Sequence, residues 1–160
     1  MFFENKLLSG LFIKRYKRFF VDVKIKNKVI TAHCPNTGSM KGLLTKGNKV
    51  WLSKSNNPNR KLKYTLQIIE DNNSKVGVNT HLTNKIFLDA LKNNLVKEFD
   101  KKITIKPEVR FGKNTRFDFL ITKKNYKAFV EVKNVTLVRK PKIAEFPDAI
   151  TSRGSKHIEE

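Results

Sequence analysis

Short stretches in which apolar and polar residues alternate fill the chain from residue 14 to residue 80, and they restrict this part to strand structure. The alternation is clearest over residues 20–26, and Asn27-Lys28 then forms a predicted hairpin turn. The predicted strands cover residues 20–26, 29–32, 50–53, 62–69 and 76–78. Because these strands are closely spaced and joined by basic turns, they predict a small β-barrel of the OB type.

The spacing of apolar residues changes after residue 80. Thr83 is the predicted N-cap of a helix, because the apolar residues that follow it, as far as Phe99, recur at helical spacing. Three further strands are predicted at residues 103–111, 116–121 and 129–133, with turns between them. The second half therefore has the order helix, strand, strand, strand, and the whole chain is of mixed α+β class.

Basic residues far outnumber acidic ones, with 34 Lys and Arg against 14 Asp and Glu and a formal charge of +20. So many positive charges repel one another within the folded chain. A polyanionic partner, most simply nucleic acid, would neutralise them. The alternative is codon bias, because most of the bases are lysine and asparagine is frequent, and A/T-rich codons specify both. An anionic membrane surface is less favoured, because no predicted helix sets a basic face against a bulky apolar one.

Membrane insertion and secretion are not expected. No stretch reaches the roughly 20 apolar residues that cross a bilayer, and the first residues lack the pattern of a signal peptide. Cys34 is the sole cysteine, which excludes an internal disulfide and a cysteine-cluster zinc site. The expectation is a cytoplasmic protein that does not associate with membranes, and the sequence does not determine its oligomeric state.

Two carboxylates and a lysine interrupt apolar strands of the second half. Asp118 lies between two phenylalanines, and Glu131 and Lys133 stand two residues apart, so the latter two are expected on one face of a strand. The stretch between Asp118 and Glu131 is long enough for a hairpin to return the chain alongside itself. Unpaired charges in such strands are costly, and a hard divalent cation with oxygen ligands, Mg2+ or Mn2+, removes that cost.

Phosphodiester hydrolysis is the chemistry predicted for this set. Asp118 and Glu131 would hold the ion, which activates water, and Lys133 would position that water or neutralise the phosphate. Glu108, on the preceding predicted strand, is a third candidate metal ligand. Two alternatives stay open: Lys133 forms a cross-strand salt bridge with Asp118 or Glu131, and Glu108 is a solvated strand acid.

An acid, a hairpin and Glu-x-Lys after a helix resemble the PD-(D/E)xK nuclease superfamily. The wider pattern resembles the sugar fermentation stimulation protein A (SfsA) family. The matching segments are IKRYKRF (13–19), AHCPNTGSM (32–40), VNT (78–80), RFDFL (116–120), EVKNVTL (131–137), FPDA (146–149) and RGSKH (153–157). The resemblance implies a DNA-binding protein with an N-terminal OB-type domain and a C-terminal nuclease-like domain. A sugar-metabolising activity does not follow from these residues.

The predicted organisation is therefore an OB-like nucleic-acid-binding domain over residues 1–80 and a restriction-endonuclease-like helix-plus-sheet domain over residues 81–160. Members of the resembled family continue beyond the position of Glu160, so the second domain is expected to be incomplete at its C-terminus.

Basic residues among aromatic ones mark the predicted nucleic-acid contacts. Arg15, Lys17 and Arg18 alternate with Tyr16, Phe19 and Phe20; cations bind phosphates while aromatic rings stack bases. The alternative is that the aromatics, Phe20 first, fill the barrel core. Arg60 and Lys61 lie in a basic turn that either contacts the nucleic-acid backbone or is simply a soluble loop.

The first functional hypothesis is a DNA-binding protein with a nuclease site that depends on Mg2+ or Mn2+. The alternatives are a DNA-binding or regulatory protein that does not cleave, and a basic RNA-binding module whose carboxylates form structural ion pairs.

Overall fold

The computed structural model describes residues 3–99, 102–112, 115–140 and 142–146, which form two compact units. The barrel unit consists of residues 3–80 together with 134–140 and 142–146. The helix–sheet unit consists of the described residues between 81 and 133.

Six strands build the first sheet of the barrel unit: β1 Leu8–Tyr16, β2 Phe20–Ile25, β3 Lys28–His33, β4 Lys49–Lys54, β5 Tyr64–Asp71 and β6 Ser74–Gly77. Their order in the sheet is β3-β2-β1-β4-β5-β6, and strands that are neighbours in this order pair antiparallel. A parallel pairing of His33 with Thr65 joins β3 to β5 and closes the first five strands into a barrel. The predicted OB-like barrel within a mixed α+β chain is confirmed.

The barrel core follows from the alternation in the sequence. Val21 and Val23 of β2 are fully buried while Lys24 is exposed, as a period of two requires. The interior is completed by one apolar layer from the other strands and the segment after β3: Phe12, Ala32, Cys34, Met40, Leu43, Val50, Leu52, Leu66, Ile69 and Val78. Gly10 leaves room for β2, because a Cβ there would lie 2.5 Å from Val23 Cγ1.

The helix–sheet unit packs one helix on a three-stranded antiparallel sheet. Its elements are α1 Thr83–Lys92, β7 Thr104–Phe111, β8 Thr115–Lys123 and β9 Tyr126–Val130, and the strand order is β7-β8-β9. The ring of Phe87 on α1 lies 5.5 Å from that of Phe119 on β8, and Phe119, Ile121 and Leu91 are buried. The helix therefore packs Phe87 against the middle strand and buries Leu91, while Ile86 stays exposed.

Both predicted ends of α1 are wrong. A short 3-10 turn over Thr80–Leu82 leads into the helix, so Leu82 is the N-cap residue and makes no side-chain capping bond. At the other end Asn94 takes a φ of 55°, and the N–H of Leu95 donates to the carbonyl of Ala90 at 2.9 Å. This Schellman arrangement ends the helix at Lys92 rather than near Phe99.

The predicted strands also differ from the structure. The strand predicted over 129–133 runs instead from Tyr126 to Val130, and no strand was predicted where β1 spans Leu8–Tyr16. Two short strands, β10 Leu137–Lys140 and β11 Ile143–Glu145, pair antiparallel within the barrel unit. The FPDA segment beyond Phe146, the RGSKH segment and the expected incomplete C-terminus lie outside the described residues. None of the helices in the described part of the chain combines the length and apolarity needed to cross a membrane.

Candidate functional site

Asp118, on β8, is held by two other parts of the helix–sheet unit. Its Oδ1 accepts a hydrogen bond from the side-chain amide of Asn84 on α1 at 2.8 Å. Its Oδ2 accepts one from the backbone N–H of Val132 at 2.8 Å, just after β9. These bonds orient the carboxylate and bring it next to the chain segment that carries Glu131 and Lys133.

The register of the sheet places Asp118 beside Glu131. Phe119 and Val130 are the last pair of the β8–β9 ladder, so Asp118 and Glu131 are the next residue on each side. Glu131 and Lys133 follow the strand instead of lying in it, and Lys133 Nζ contacts Glu131 Oε1 directly. The structure therefore brings Asp118, Glu131 and Lys133 together, but through the end of a strand and not through a shared strand face.

Glu108 lies level with Asp118 in the β7–β8 register, but it does not complete a three-carboxylate cluster with Asp118 and Glu131 among the described residues. Its φ of 53° interrupts the β7–β8 ladder, which skips from Pro107 to Val109. Its carboxylate lies 2.9 Å from Arg116 Nε, with both side chains more than half exposed. No cluster of three or more His, Cys, Asp or Glu side chains suited to a metal occurs among the described residues.

The pair formed by Asp118 and Glu131, named the carboxylate pair below, has the donor chemistry of a hydrated Mg2+ or Mn2+ site. Mg2+ is commonly held by one or two carboxylates while it keeps several waters. Each Asp118 oxygen accepts one N–H bond and retains a second lone pair. Lys133, already in contact with Glu131, supplies the positive charge that a phosphate oxygen needs.

The β1–β2 turn of the barrel unit exposes cations and aromatic rings together. Lys17 and Arg18 are exposed at the turn, with φ values of 48° and 61°. Tyr16 is 37% and Phe19 47% exposed, and Phe20 is half-buried and stacks on Tyr16 at 5.4 Å. Phe20 therefore lies outside the fully buried core, in contrast to the alternative that placed it there.

Arg15 has a different setting from its neighbours. Its guanidinium donates to the backbone carbonyls of Asn36 at 2.7 Å, Gly38 at 2.8 Å and Arg18 at 3.0 Å. These bonds tie the segment after β3 to the end of β1. Arg15 thus holds two loops in place, while Lys17 and Arg18 project from one of them.

The β4–β5 loop carries Arg60 and Lys61, of which Lys61 is exposed and Arg60 half-buried. His33, at the end of β3, pairs with both Phe20, just after the β1–β2 turn, and Thr65, near the start of β5. Because β3 and β5 pair in parallel, the loop before Thr65 leads away from the end of β3, whereas the β1–β2 turn lies beyond that end. The register therefore does not bring the two predicted sets of nucleic-acid contacts together.

Two features escaped the sequence prediction. Asn84 is a helix residue 34 positions from Asp118, and no local pattern links them. Trp51 lies under two ammonium groups, with Lys49 Nζ at 5.3 Å and Lys75 Nζ at 5.2 Å from its ring centroid. A lone tryptophan in a lysine-rich barrel was the available indication for the second feature.

Comparison with known protein families matches both halves of the chain. Residues 13–78 match the family described as the SfsA N-terminal OB domain, and residues 81–160 match the sugar fermentation stimulation protein RE domain.

Individual relatives agree with these matches. The chain is 62% identical over 158 residues to a sugar fermentation stimulation protein homolog of Pelagibacter ubique, covering 99% of this chain and 68% of the relative. It is 48% identical to the homolog of Brucella ovis, covering 100% of this chain and 68% of that relative. Among solved structures, Pyrococcus furiosus SfsA in complex with Ca2+ superposes with a TM-score of 0.82 at 29% identity. That match covers 97% of this chain, which spans 65% of the Pyrococcus chain.

Proposed function

The chain belongs to the sugar fermentation stimulation protein (SfsA) family, and from that premise we propose that it binds nucleic acid, with DNA favoured, and hydrolyses phosphodiester bonds at Asp118, Glu131 and Lys133. The observation that carries the proposal is the 2.8 Å hydrogen bond from the Val132 N–H to Asp118, because it joins the aspartate to the Glu-x-Lys segment.

Binding is supported by charge and by the exposed side chains of the barrel. A net charge of +20 attracts a polyanion. Lys17, Arg18 and Lys61 are exposed in the barrel unit, and Tyr16 and Phe19 offer partly exposed rings beside Lys17 and Arg18. Cations that neutralise phosphates next to rings that stack bases are the combination found in OB-type binding surfaces.

A divalent cation is supported by the carboxylate pair and by a relative. The Pyrococcus furiosus SfsA structure is a complex with Ca2+, which like Mg2+ prefers oxygen ligands. In this chain Asp118 and Glu131 would hold Mg2+ or Mn2+. When bound, the metal lowers the pKa of its water and polarises the phosphate.

The protein's own side chains would orient the reactants. Asn84 and the Val132 N–H fix the direction of the Asp118 carboxylate, so it needs little rearrangement on binding. Lys133 would donate to a phosphate oxygen and offset the charge that develops there. Its present contact with Glu131 keeps the ammonium beside the pair.

The test is cleavage of labelled single- and double-stranded DNA by the full chain with Mg2+, Mn2+ or EDTA. We expect metal-dependent cleavage that EDTA abolishes and that Glu131→Gln lowers by about 100-fold or more. Glu98→Gln is the matched control, because it removes an exposed acid from the same unit away from Asp118, and it should cleave as the wild type does. Cleavage that survives EDTA or Glu131→Gln would reject the site.

A non-catalytic DNA-binding role is the second candidate, and a specific observation favours it. Both Asp118 oxygens already accept N–H groups and Glu131 already pairs with Lys133, so the cluster can serve as a clamp that joins α1, β8 and the segment after β9. In that case the wild type binds DNA but shows no cleavage with any metal.

Calorimetric titration of Mn2+ into the wild type and, separately, into the Glu131→Gln variant distinguishes the two roles. A cluster that serves only as a clamp releases no metal-binding heat in either protein. Parallel binding to RNA tests the third alternative, a basic RNA-binding module.

A further inference from the structure

A basic pocket lies at the other end of the β7–β8–β9 sheet from the carboxylate pair. It has a volume of about 520 Å³ and is lined by Lys102, Thr104, Thr122, Lys123, Lys124, Asn125, Tyr126 and Lys127. Four of these eight residues are lysines, and none of them is an acid. The ammonium groups of Lys124 and Lys127 give the pocket positive charge, which favours an anion there.

The sheet register arranges hydroxyl and ammonium groups in a row inside this pocket. Thr104 pairs with Thr122 across β7–β8, and Thr122 pairs with Lys127 across β8–β9. Residues directly opposite on antiparallel strands share a face and lie about 5 Å apart. The row therefore presents two hydroxyls and one ammonium side by side, a set of donors suited to phosphate oxygens.

The β8–β9 turn adds a cation and an aromatic ring at the pocket edge. Lys124 holds a φ of 24°, which L side chains rarely adopt, at a turn where Asn or Gly is favoured. Tyr126 is 52% exposed, so its ring is open to a ligand. Tyr126 precedes Lys127 on β9 and starts from the opposite face of the sheet, but both residues line the pocket at the end of the hairpin. A ring at the edge of a phosphate-binding pocket can stack the base of the same nucleotide.

The distance to the carboxylate pair is compatible with one continuous polymer. Thr122 is four residues from Asp118 along β8, which corresponds to about 14 Å. The next nucleotides of a strand that reaches Asp118 can therefore extend toward the pocket.

We propose that this pocket binds one nucleotide of a single-stranded nucleic acid, with Thr104, Thr122, Lys124 and Lys127 on the phosphate and Tyr126 on the base. The ligand class rests on the proposed function, whereas the pocket itself rests on its own geometry. The pocket is an anchoring subsite that holds the strand away from the bond to be cut.

The experiment measures anisotropy of a labelled oligothymidylate and of its duplex with the full chain, in EDTA so that no hydrolysis occurs. Tyr126→Ala should weaken single-strand binding by about 5- to 150-fold, as expected for one lost base stack. Tyr126→Phe keeps the ring and should bind as the wild type does. The duplex should be affected less, because its bases are already stacked.

The lysines are tested by the salt dependence of binding. The double substitution Lys124→Gln and Lys127→Gln should make the slope of log affinity against log salt concentration less steep. The expected reduction is about 0.7, which corresponds to one lost contact with a single-strand phosphate. The matched control is Lys92→Gln with Lys97→Gln, which removes the same charge from exposed positions of the same unit outside the pocket. The control should leave the slope nearly unchanged.

The outcomes separate the two proposals. If the wild type binds oligonucleotide and Tyr126→Ala binds equally well, or if both lysine pairs change the slope equally, the pocket proposal is overturned alone. If the wild type binds no oligonucleotide, the proposed function and the pocket's ligand class fall together. Melting temperatures of all variants show whether each remains folded.

Discussion

Cys34 shows how one buried side chain takes its chemistry from its surroundings. Burial raises the pKa of its thiol above the ordinary 9.0, and the nearby Arg15 guanidinium offsets part of that rise. Because the folded state holds this proton more tightly, its contribution to stability is present below pH 9.0 and is lost as the pH rises beyond it. We therefore expect native Cys34 to resist thiol reagents at neutral pH and to react once the chain unfolds, measured by Ellman's reagent with and without denaturant. Rapid reaction of the folded protein would contradict this account.

The β10–β11 pair is the element whose stability should depend on acidity. Arg139 Nε donates to Glu145 at 2.8 Å, and this bond holds the pKa of the Glu145 carboxyl below its usual 4.5. A depressed folded-state pKa means that the stabilisation is present above pH 4.5 and disappears as the pH falls through the lower folded value. The backbone N–H of Arg139 also donates to Glu145, at 3.2 Å, so its NMR shift should titrate below pH 4.5 in the wild type. Glu145→Gln should abolish that titration, and a wild-type midpoint at 4.5 or above would refute the bond.

Charge repulsion is a property of the whole molecule. With 34 basic and 14 acidic residues, the folded chain concentrates like charges that the unfolded chain spreads apart. Salt shortens the Debye length to about 8 Å at 0.15 M from about 30 Å at 0.01 M, so the melting temperature should rise between these conditions. Sucrose at the same osmolality does not screen charge, so it should raise the melting temperature less than the salt does. A melting temperature that falls with added salt would show that favourable ion pairs outweigh the repulsion.

Most strands of the barrel were predictable because their information is local, whereas β1 was not predicted. Alternation places Val21 and Val23 inside and Lys24 outside whatever the strands pair with. The helix was predicted within one residue at its start but too long at its end, because the helical spacing of apolar residues beyond Lys92 yields to the left-handed conformation of Asn94. The two adjacent asparagines at that point were the available indication in the sequence.

The candidate site was predictable as a set of residues but not as a geometry. Asp118, Glu131 and Lys133 stand out because charged groups in apolar strands need partners. The strand nevertheless ends before Glu131, and Asp118 takes the N–H of Val132 in place of a further ladder bond. Glu108 fits the same reasoning, yet its carboxylate lies on Arg116.

The order of residues alone therefore indicates most of the strands and the position of the helix, which side chains are apolar enough to be buried, and that the molecule carries a large positive charge. Folding selects the partners: His33 closes the barrel through Thr65, Arg15 holds Asn36, and Asn84 reaches Asp118. The physical reason is the distance along the chain over which each kind of information acts. Periodicity acts between neighbours in the chain, whereas a hydrogen bond forms between groups that packing has brought together across tens of residues.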